Sequence, residues 1–515
     1  ASSYVIGMVT DNTGKVYIYG CTSNTIDYFG EEVNKGVFIC KQNGSGEVIW
    51  LKQFEEVQMP YGSQGNYLNI DTLTSHIYIT GELYDELIIP GEITLTPAEG
   101  GSVFILKYDL DGNYVWHVQE DFNGNEPSVV PDQSGNVILS GTFDDIITIG
   151  NTELESLGSS ADGFVAKYDE NGTFLWAIRA GGESIEYMAI TSTDAGDNIY
   201  LSGEFLSENV TVDDYSITLE EGDGNIIFAK LNSDGNVLWV TSHAGSPIGN
   251  DWKCWPTGIK TDAEGYTYLK GWHGDLVYFD DIVLTSPYGY GYSYFIAKFD
   301  PDGNTVWANS ITEHTYGFDY NQFDIDSEGS VYFGAQIRDT VHFGYEFIYV
   351  NVGNIDLFVT KYTTAGELDW VKIIQGNESS YNWISSVAVY DTLNVFVGGF
   401  FGNYLSIDDD ELTSTNRHGF VTMFGDDISG IKEVYNRNNK QFDVYPNPSN
   451  GLVTFTSNFK LNNKIEILNV TGQIVHTVNI TSKKQQIDLR NLSKGLYFIK
   501  VSSDKIFKIE KLIIE

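Results

Sequence analysis

Residues 300–307 read DPDGNTVW, and the fold turns on whether that stretch is a metal loop or a hairpin turn. A helix-flanked calcium loop needs oxygen ligands at positions 1, 3 and 5, glycine at 6 and glutamate at 12. Here Gly303 falls at position 4, and Trp307 stands where a ligand is wanted. Five other stretches explain the aspartates: GSGEVIW, DLDGNYVW, DENGTFLW, NSDGNVLW and TTAGELDW. With the first, they place a tryptophan four residues after a glycine six times: Gly46/Trp50, Gly112/Trp116, Gly172/Trp176, Gly235/Trp239, Gly303/Trp307 and Gly366/Trp370. Successive tryptophans are 66, 60, 63, 68 and 63 residues apart. Aspartates that accept turn hydrogen bonds and a glycine at positive φ read as a hairpin turn.

The repeat extends upstream. An apolar strand ends in Lys41, Lys107, Lys167, Lys230, Lys298 and Lys361. Before it a second strand ends in a small residue, as in KVYIYG, HIYITG, NVILSG and NIYLSG. Five of seven copies open with an aspartate turn such as DNTG or DSEG. A seventh copy, GFVTMFGDD, has Met423 at the lysine position and no tryptophan. Each unit is four strands that cannot bury both faces alone. Radial stacking solves this and protects most edges, so an all-β, seven-bladed β-propeller is expected over 1–427. Residues 428–440 are a linker or, through SGIKEV (429–434), the outer strand of blade seven. The chain starts within the first strand of blade one, so no strand exchange is expected at closure. Cys21 and Cys40 end antiparallel strands about 10 Å out of step, too far to bridge. With Cys254 they give no disulfide framework.

Composition agrees with a folded, β-rich and turn-rich chain: 53 Gly, 33 Tyr and 29 Phe against four Met in 515 residues. The net charge of −42 is uneven. Residues 441–515 hold ten Lys+Arg against six Asp+Glu, leaving 19 against 65 for the rest. Such a body repels nucleic acid and anionic membrane, so no nucleic-acid partner is expected. No run of about 18 apolar residues is present to span a membrane as a helix. The chain opens with Ala1, consistent with removal of a signal peptide.

After DVYPNPSNG (443–451), short alternating strands argue for a small β-sandwich over 441–515. With Tyr445-Pro446-Asn447-Pro448 and Gly451 leading, IEILNVTGQIV containing Gly472, LSKGLYFIKV containing Gly495 and Tyr497, and a final strand bearing Lys508 and Lys511, this tail resembles the type A C-terminal sorting domain of the Bacteroidetes type IX secretion system. The repeats resemble the β-propeller repeats of surface proteins from the same phylum. The resemblance implies a secreted protein at the cell surface, associated with the outer membrane. Its implied partners are the translocon and an outer-membrane β-barrel shuttle, which hold the tail, and a sortase that removes it. Because the chain runs to Glu515, an uncleaved form still on its shuttle or translocon is expected. Asp-Thr-aliphatic triplets at Thr72, Thr340 and Thr392 match the phylum's O-glycosylation acceptor.

On the propeller, inter-blade loops and those between second and third strands share one face. That face carries Tyr61, Tyr67, Tyr187, Trp252, Trp255, Tyr316, Tyr320, Tyr381 and Trp383. Tyr67, Tyr187 and Trp383 are expected to pack around the channel mouth. The blade-five group, Trp252, Trp255, Trp272, Tyr288, Tyr290 and Tyr292, departs from the repeat and is the candidate patch for an unknown protein or glycan ligand. The triplets TID, TIG, TVD, YFD, HFG and SID suggest sub-hairpins, with Asp27, Asp213, Asp280 and Asp408 at turns. Asp408-Asp409-Asp410 reads as a solvated run; neither calcium nor another cofactor is assigned. No HExxH, GxSxG or phosphate loop occurs, and His243, His273 and His314 share no spacing. The expectation is a non-enzymatic binding or adhesion module, linked to gliding or glycan capture. The runners-up are a propeller glycoside hydrolase or lyase, whose carboxylates would come from different blades, and a protein held in the export complex.

Overall fold

The computed structural model describes residues 2–28, 31–54, 67–158, 161–184, 186–218, 225–244, 254–274, 276–286, 292–315, 322–337, 340–343, 347–350, 355–377, 381–391, 394–407, 410–424, 442–446, 448–457, 464–469, 474–479, 482, 484–503 and 506–514. Two compact units divide the chain: residues 1–339 with 351–430, and residues 431–515 with 340–350.

The first unit is a seven-bladed β-propeller of antiparallel sheets. Its innermost strands are Ser3–Thr10, Leu68–Asp71, Gly124–Pro131, Glu186–Thr193, Trp255–Thr261, Phe323–Ile325 and Trp383–Val389. All seven contribute to one axial cavity, through Met8, Leu68, Ser128, Ile190, Ile259, Phe323 and Val387. That cavity measures about 40 Å³, room for a few waters. Second strands such as Val16–Thr22, Val137–Phe143 and Ile199–Phe205 are buried along their whole length. Each is covered by a neighbouring blade on both faces, which is why these segments read as near-continuous apolar runs.

The DPDG-type turns lock each blade to the one before it. In the opening stretch, Asp300 Oδ1 accepts from the Asp302 and Asn304 amides at 3.0 and 2.9 Å. Gly303 then turns back at φ +87°. The carbonyl of half-buried Pro301 accepts from Trp239 Nε1 at 3.3 Å and from Lys230 Nζ at 3.4 Å, both from the preceding blade. The same tryptophan donates to Leu110, Glu170, Ser233 and Thr364 carbonyls elsewhere, at 2.8–3.2 Å. Its indole lies flat on the turn glycine: a methyl added at Gly112, Gly172, Gly235, Gly303 or Gly366 would meet it at 2.7–3.3 Å. Glycine is thus required twice, for backbone sign and for ring clearance. Behind the turn the lysine faces a strand-two tyrosine and the aspartate of the first turn. Lys167 Nζ is 2.8 Å from Asp132 Oδ2, and Tyr17, Tyr200 and Tyr332 donate to Asp11, Asp194 and Asp326 at 3.0–3.2 Å.

Blade seven lacks this lock. Met423 stands opposite Phe396 where other blades pair lysine with tyrosine or, in blade three, isoleucine. Tyr390 replaces the aspartate of the first turn. Three strands of this blade are described, Trp383–Val389, Val395–Ile407 and Asp410–Phe424; residues 429–434 lie outside the described residues. The seam to blade one is closed differently. Ser385 Oγ donates to the Val5 carbonyl at 2.6 Å, and Met8 N–H donates to Ser386 Oγ at 3.0 Å. Thr10 Oγ1 donates to the Val389 carbonyl at 2.8 Å, and Gly419 N–H to Ser3 Oγ at 2.9 Å. No strand is exchanged: blade one is built wholly from Ser3–Thr10, Val16–Thr22, Gly36–Gln42 and Val48–Phe54.

The long loops form short hairpins, such as Ile146–Ile149 with Thr152–Glu155 and Leu276–Phe279 with Ile282–Thr285. Asp213 and Asp280 sit at their turns with φ +51°. Asp27 does not: it lies within Ile26–Tyr28, paired with Glu32, because that hairpin turns later. Asp408 lies outside the described residues. Cys21, Cys40 and Cys254 are free and buried; Cys40 pairs with Ile18, three residues along from Cys21.

The C-terminal unit is a sandwich. One sheet is Phe442–Tyr445, Leu452–Ser457 and Lys484–Asp488; the other is Ile474–Asn479, Lys464–Leu468, Gly495–Ser503 and Ile506–Ile514. Val453, Phe455 and Ile487 from the first meet Ile465, Ile467, Ile499 and Leu512 from the second, the alternating inward positions of two packed sheets.

Candidate functional sites: a seam pocket and a sorting tail

Of the six aromatics assigned to a blade-five patch, Trp252, Tyr288 and Tyr290 lie outside the described residues, as do Tyr61, Tyr316 and Tyr320. Tyr292 opens the strand Tyr292–Phe299. Trp255 and Trp272 are cross-strand partners with ring centroids 5.6 Å apart. Trp272 is 3% exposed, which corrects its place in an exposed patch: it belongs to a second strand covered by blades on both faces. Tyr67 is buried and lines the axial cavity.

The aromatic site on the described loop face is instead at the seam of blades seven and one. Trp383 and Phe400 are cross-strand partners stacked at 6.4 Å with planes 5° apart. Tyr381 continues the stack, 5.9 Å from Phe400 at 22°, and Tyr4 of blade one meets Phe400 edge-on at 5.0 Å. The Arg417 guanidinium lies over Tyr381, 4.3 Å from its centroid. The sequence builds this locally. The strand Asp410–Phe424 bulges at Ser414–Asn416 opposite Asn403, which sits at φ +72°, a conformation asparagine tolerates. Buried Asn382 pins the facing strand: its Oδ1 accepts from the Gly402 amide at 3.3 Å and its Nδ2 donates to Ile355 and Tyr404 carbonyls at 3.1 and 3.2 Å. The Tyr381 amide donates to the Gly402 carbonyl at 3.3 Å. In front lies a cavity of about 370 Å³ lined by Ser2, Tyr4, Tyr381, Gly402, Asn403, Thr415, Asn416 and Arg417. Its walls are hydroxyls, amides, one aromatic face and one cation.

Several titratable groups lie buried in the ring interior. His273 shares its ring nitrogens with the Gly274 carbonyl at 2.8 Å and Ser310 Oγ at 2.9 Å. Burial pushes His273 and His243 down to about 4, keeping both neutral; the His314 side chain lies outside the described residues. Two carboxylate pairs bridge adjacent blades. The Glu126 amide donates to Glu82 Oε1 at 2.9 Å, and burial, then the charge of Glu82, pushes the Glu126 carboxyl up to about 7. Burial likewise pushes Glu186 up to about 7 beside Asp162, against a hydrogen bond from Ser207; Asp162 is itself paired with Arg179 at 2.7 Å. Among the described residues, no three His, Cys, Asp or Glu side chains converge on a metal position.

In the tail, the motif folds against the terminal strand. Ser449, which sequence reasoning passed over, donates its amide to the Ile513 carbonyl at 2.8 Å, and its Oγ accepts from the Gly451 amide at 3.0 Å. Gly451 has φ +90°, and a methyl there would meet Arg490 Cα at 2.8 Å. Tyr445 stays largely exposed, with Lys484 Nζ 5.9 Å from its ring. Pro446 and Pro448 flank Asn447; Asn447 and Gly472 lie outside the described residues. Gly495 pairs with Ile514, Lys511 with Phe498 and Lys508 with Val501, and Tyr497 donates to the Ser493 carbonyl at 2.9 Å.

Residues 443–515 match the family described as the secretion system C-terminal sorting domain. An uncharacterized WD repeat-containing protein of Acanthamoeba polyphaga mimivirus is 22% identical over 367 residues, 58% of this chain. The chain spans about a quarter of that relative's length, 26%. Among solved structures, a polysaccharide lyase of family PL25, an ulvan lyase with a bound glycan, aligns with TM-score 0.38 and 12% identity over 82% of this chain and 96% of its own. PorZ of Porphyromonas gingivalis, a surface component of its type IX secretion system, aligns with TM-score 0.14 and 11% identity over 100% and 99%. The blade count rests on the strand pairing above, not on these likenesses. The chain is a β-propeller followed by a secretion system C-terminal sorting domain. Through residues 443–515 the chain carries a type IX sorting domain, and secretion with surface attachment is what that domain implies.

Proposed function

We propose that the chain is a cell-surface binding protein, delivered across the outer membrane by its sorting tail and active through its propeller. The observation that carries this reading is the tail itself: an ordered motif, folded as a sandwich, that matches the sorting family from residue 443 to 515. In this reading the translocon and a β-barrel shuttle hold the sandwich, a sortase removes it, and the propeller remains associated with the outer membrane. The propeller binds a surface or extracellular ligand and does not turn it over. Support comes from a narrow axial cavity, from His243 and His273 buried neutral, and from a polar pocket at the seam. The test is deletion of residues 443–515 in the native bacterium. The truncated protein is expected to accumulate inside the outer membrane while the full chain reaches the cell surface. Surface display of the truncated form would end the export reading, and release of reducing sugar from a bound polysaccharide would end the non-enzymatic one.

A further inference from the structure

We propose that the pocket at the seam of blades seven and one binds an acidic sugar unit, its carboxylate or sulfate held by Arg417 and its hydroxyls by the neutral polar walls. This deepens the binding reading above and rests on it. Three observations carry it. First, none of the eight lining residues has a carboxylate, although the residues before 441 hold 65 Asp+Glu against 19 Lys+Arg. A cation with no acid among the described residues that line its pocket, on so acidic a body, marks a position where an anion is stabilised locally. Repulsion from charges beyond roughly 8–10 Å is screened at physiological ionic strength. Second, Arg417 is held in place by stacking on Tyr381 at 4.3 Å and beside Phe400 at 5.9 Å. Stacking takes up the face of the guanidinium and leaves its N–H edge free to meet a planar or tetrahedral oxyanion in two parallel bonds. Third, the remaining walls offer Ser2, Tyr4, Thr415 and Asn416, donors and acceptors suited to a polyhydroxylated ring. At about 370 Å³ the cavity lies near the lower end of the usual ligand range of about 300–1,000 Å³. That is the scale of one or two sugar units rather than a folded partner.

The rigidity of the site strengthens the assignment. Asn382 pins Gly402 and Tyr404 on the strand facing the bulge, and the Trp383–Phe400–Tyr381 stack backs the arginine from below. Little ordering cost remains for binding to meet.

The experiment measures binding of the full chain, by calorimetry, to oligogalacturonate, a sulfated galactan fragment, the neutral galactan and a poly-glutamate peptide. Arg417 and Asn416 are exposed, so substitution there leaves the fold intact, checked by melting temperature. At least one acidic oligosaccharide is expected to bind, and Arg417→Gln to weaken it roughly tenfold or more. Arg417→Lys should fall between, because it keeps charge and loses the fork. Asn416→Asp should abolish binding by setting a carboxylate beside the guanidinium. Preference between the uronate and the sulfate identifies the anion. Equal binding of neutral galactan, stronger binding of the peptide, or an Arg417→Gln affinity within twofold of the parent overturns the proposal. Wild-type binding to other glycans that is untouched by these variants overturns the site alone and leaves the binding reading standing. Absence of binding to every probe and to whole surface polysaccharide overturns both.

Discussion

A single glycine shows how the repeat works. Gly303 was legible as a turn residue from DPDG alone, since the aspartates and the left-handed position are local chemistry. Its second duty was not legible. The indole resting on it belongs to Trp239, 64 residues earlier, and no spacing rule within one unit announces a contact between units. The two duties predict a larger effect than a turn glycine usually shows. In Gly303→Ala the new methyl sits at φ +87° and 3.0 Å from the Trp239 ring. A left-handed alanine costs about 1 kcal/mol, and displacing the indole weakens its bond to the Pro301 carbonyl, about 1 kcal/mol more. Chemical denaturation should register a loss of roughly 2 kcal/mol, with Trp239 fluorescence altered in the native state. A loss under about 0.5 kcal/mol would mean the indole does not depend on the turn.

At the scale of the blade, the repeated set is a unit of charge as well as of packing. Lys167 and Asp132 are 2.8 Å apart, with side chains 2% and 0% exposed. Removing one partner of such a pair strands the other, a cost of about 3–5 kcal/mol, whereas replacing both is far cheaper. Asp132 keeps bonds from the Ser134 and Asn136 amides, so Lys167→Met should fall at the lower end, about 3 kcal/mol. Adding Asp132→Asn should recover more than half of it; a double variant as unstable as the single would refute charge stranding. Blade seven makes the same exchange naturally. Tyr390, Phe396 and Met423 replace aspartate, tyrosine and lysine together, so no charge is left unpaired. The sequence displayed Met423 and the missing tryptophan, and with them the odd blade. It concealed what that blade builds. Tyr381 and Trp383 stood out as aromatics, but Tyr4, Phe400 and Arg417 sit outside any motif. Tyr4 and Arg417, 413 positions apart in the chain, become neighbours only when the ring closes. The blade-five aromatics stood out for the opposite reason: Trp272 breaks the repeat, yet a second strand is covered on both faces whatever residue it carries.

For the molecule as a whole, the seven joints are not equivalent. Five described joints carry an indole and a turn glycine from successive blades, each supplying a hydrogen bond and aromatic burial. The joint between blades seven and one has no indole: Ser3, Thr10, Ser385 and Ser386 bond to backbone groups across it, and Val5 and Met8 pack with Ala388 and Phe396. Hydroxyl bonds of this kind contribute about 1 kcal/mol each, and the joint lacks the indole-on-glycine contact and the indole hydrogen bond of the other five. A closed ring opens where its joint is weakest, and partial opening precedes global unfolding in proteins built of cooperative units. The seam should therefore be the hinge of sub-global opening. Ser386→Ala tests this directly, because it leaves the buried Met8 amide without its acceptor, at about 1–3 kcal/mol. Native-state hydrogen exchange should then accelerate roughly 5- to 150-fold in Ser3–Thr10 and Trp383–Val389, by the same free energy, and hardly at all in Val137–Phe143 or Ile199–Phe205. Uniform acceleration around the ring would show instead that the blades open as one. Since the pocket spans this same joint, an acidic sugar bound there would bridge blades seven and one. Slower exchange at the seam in its presence would tie the ligand to the closure of the ring.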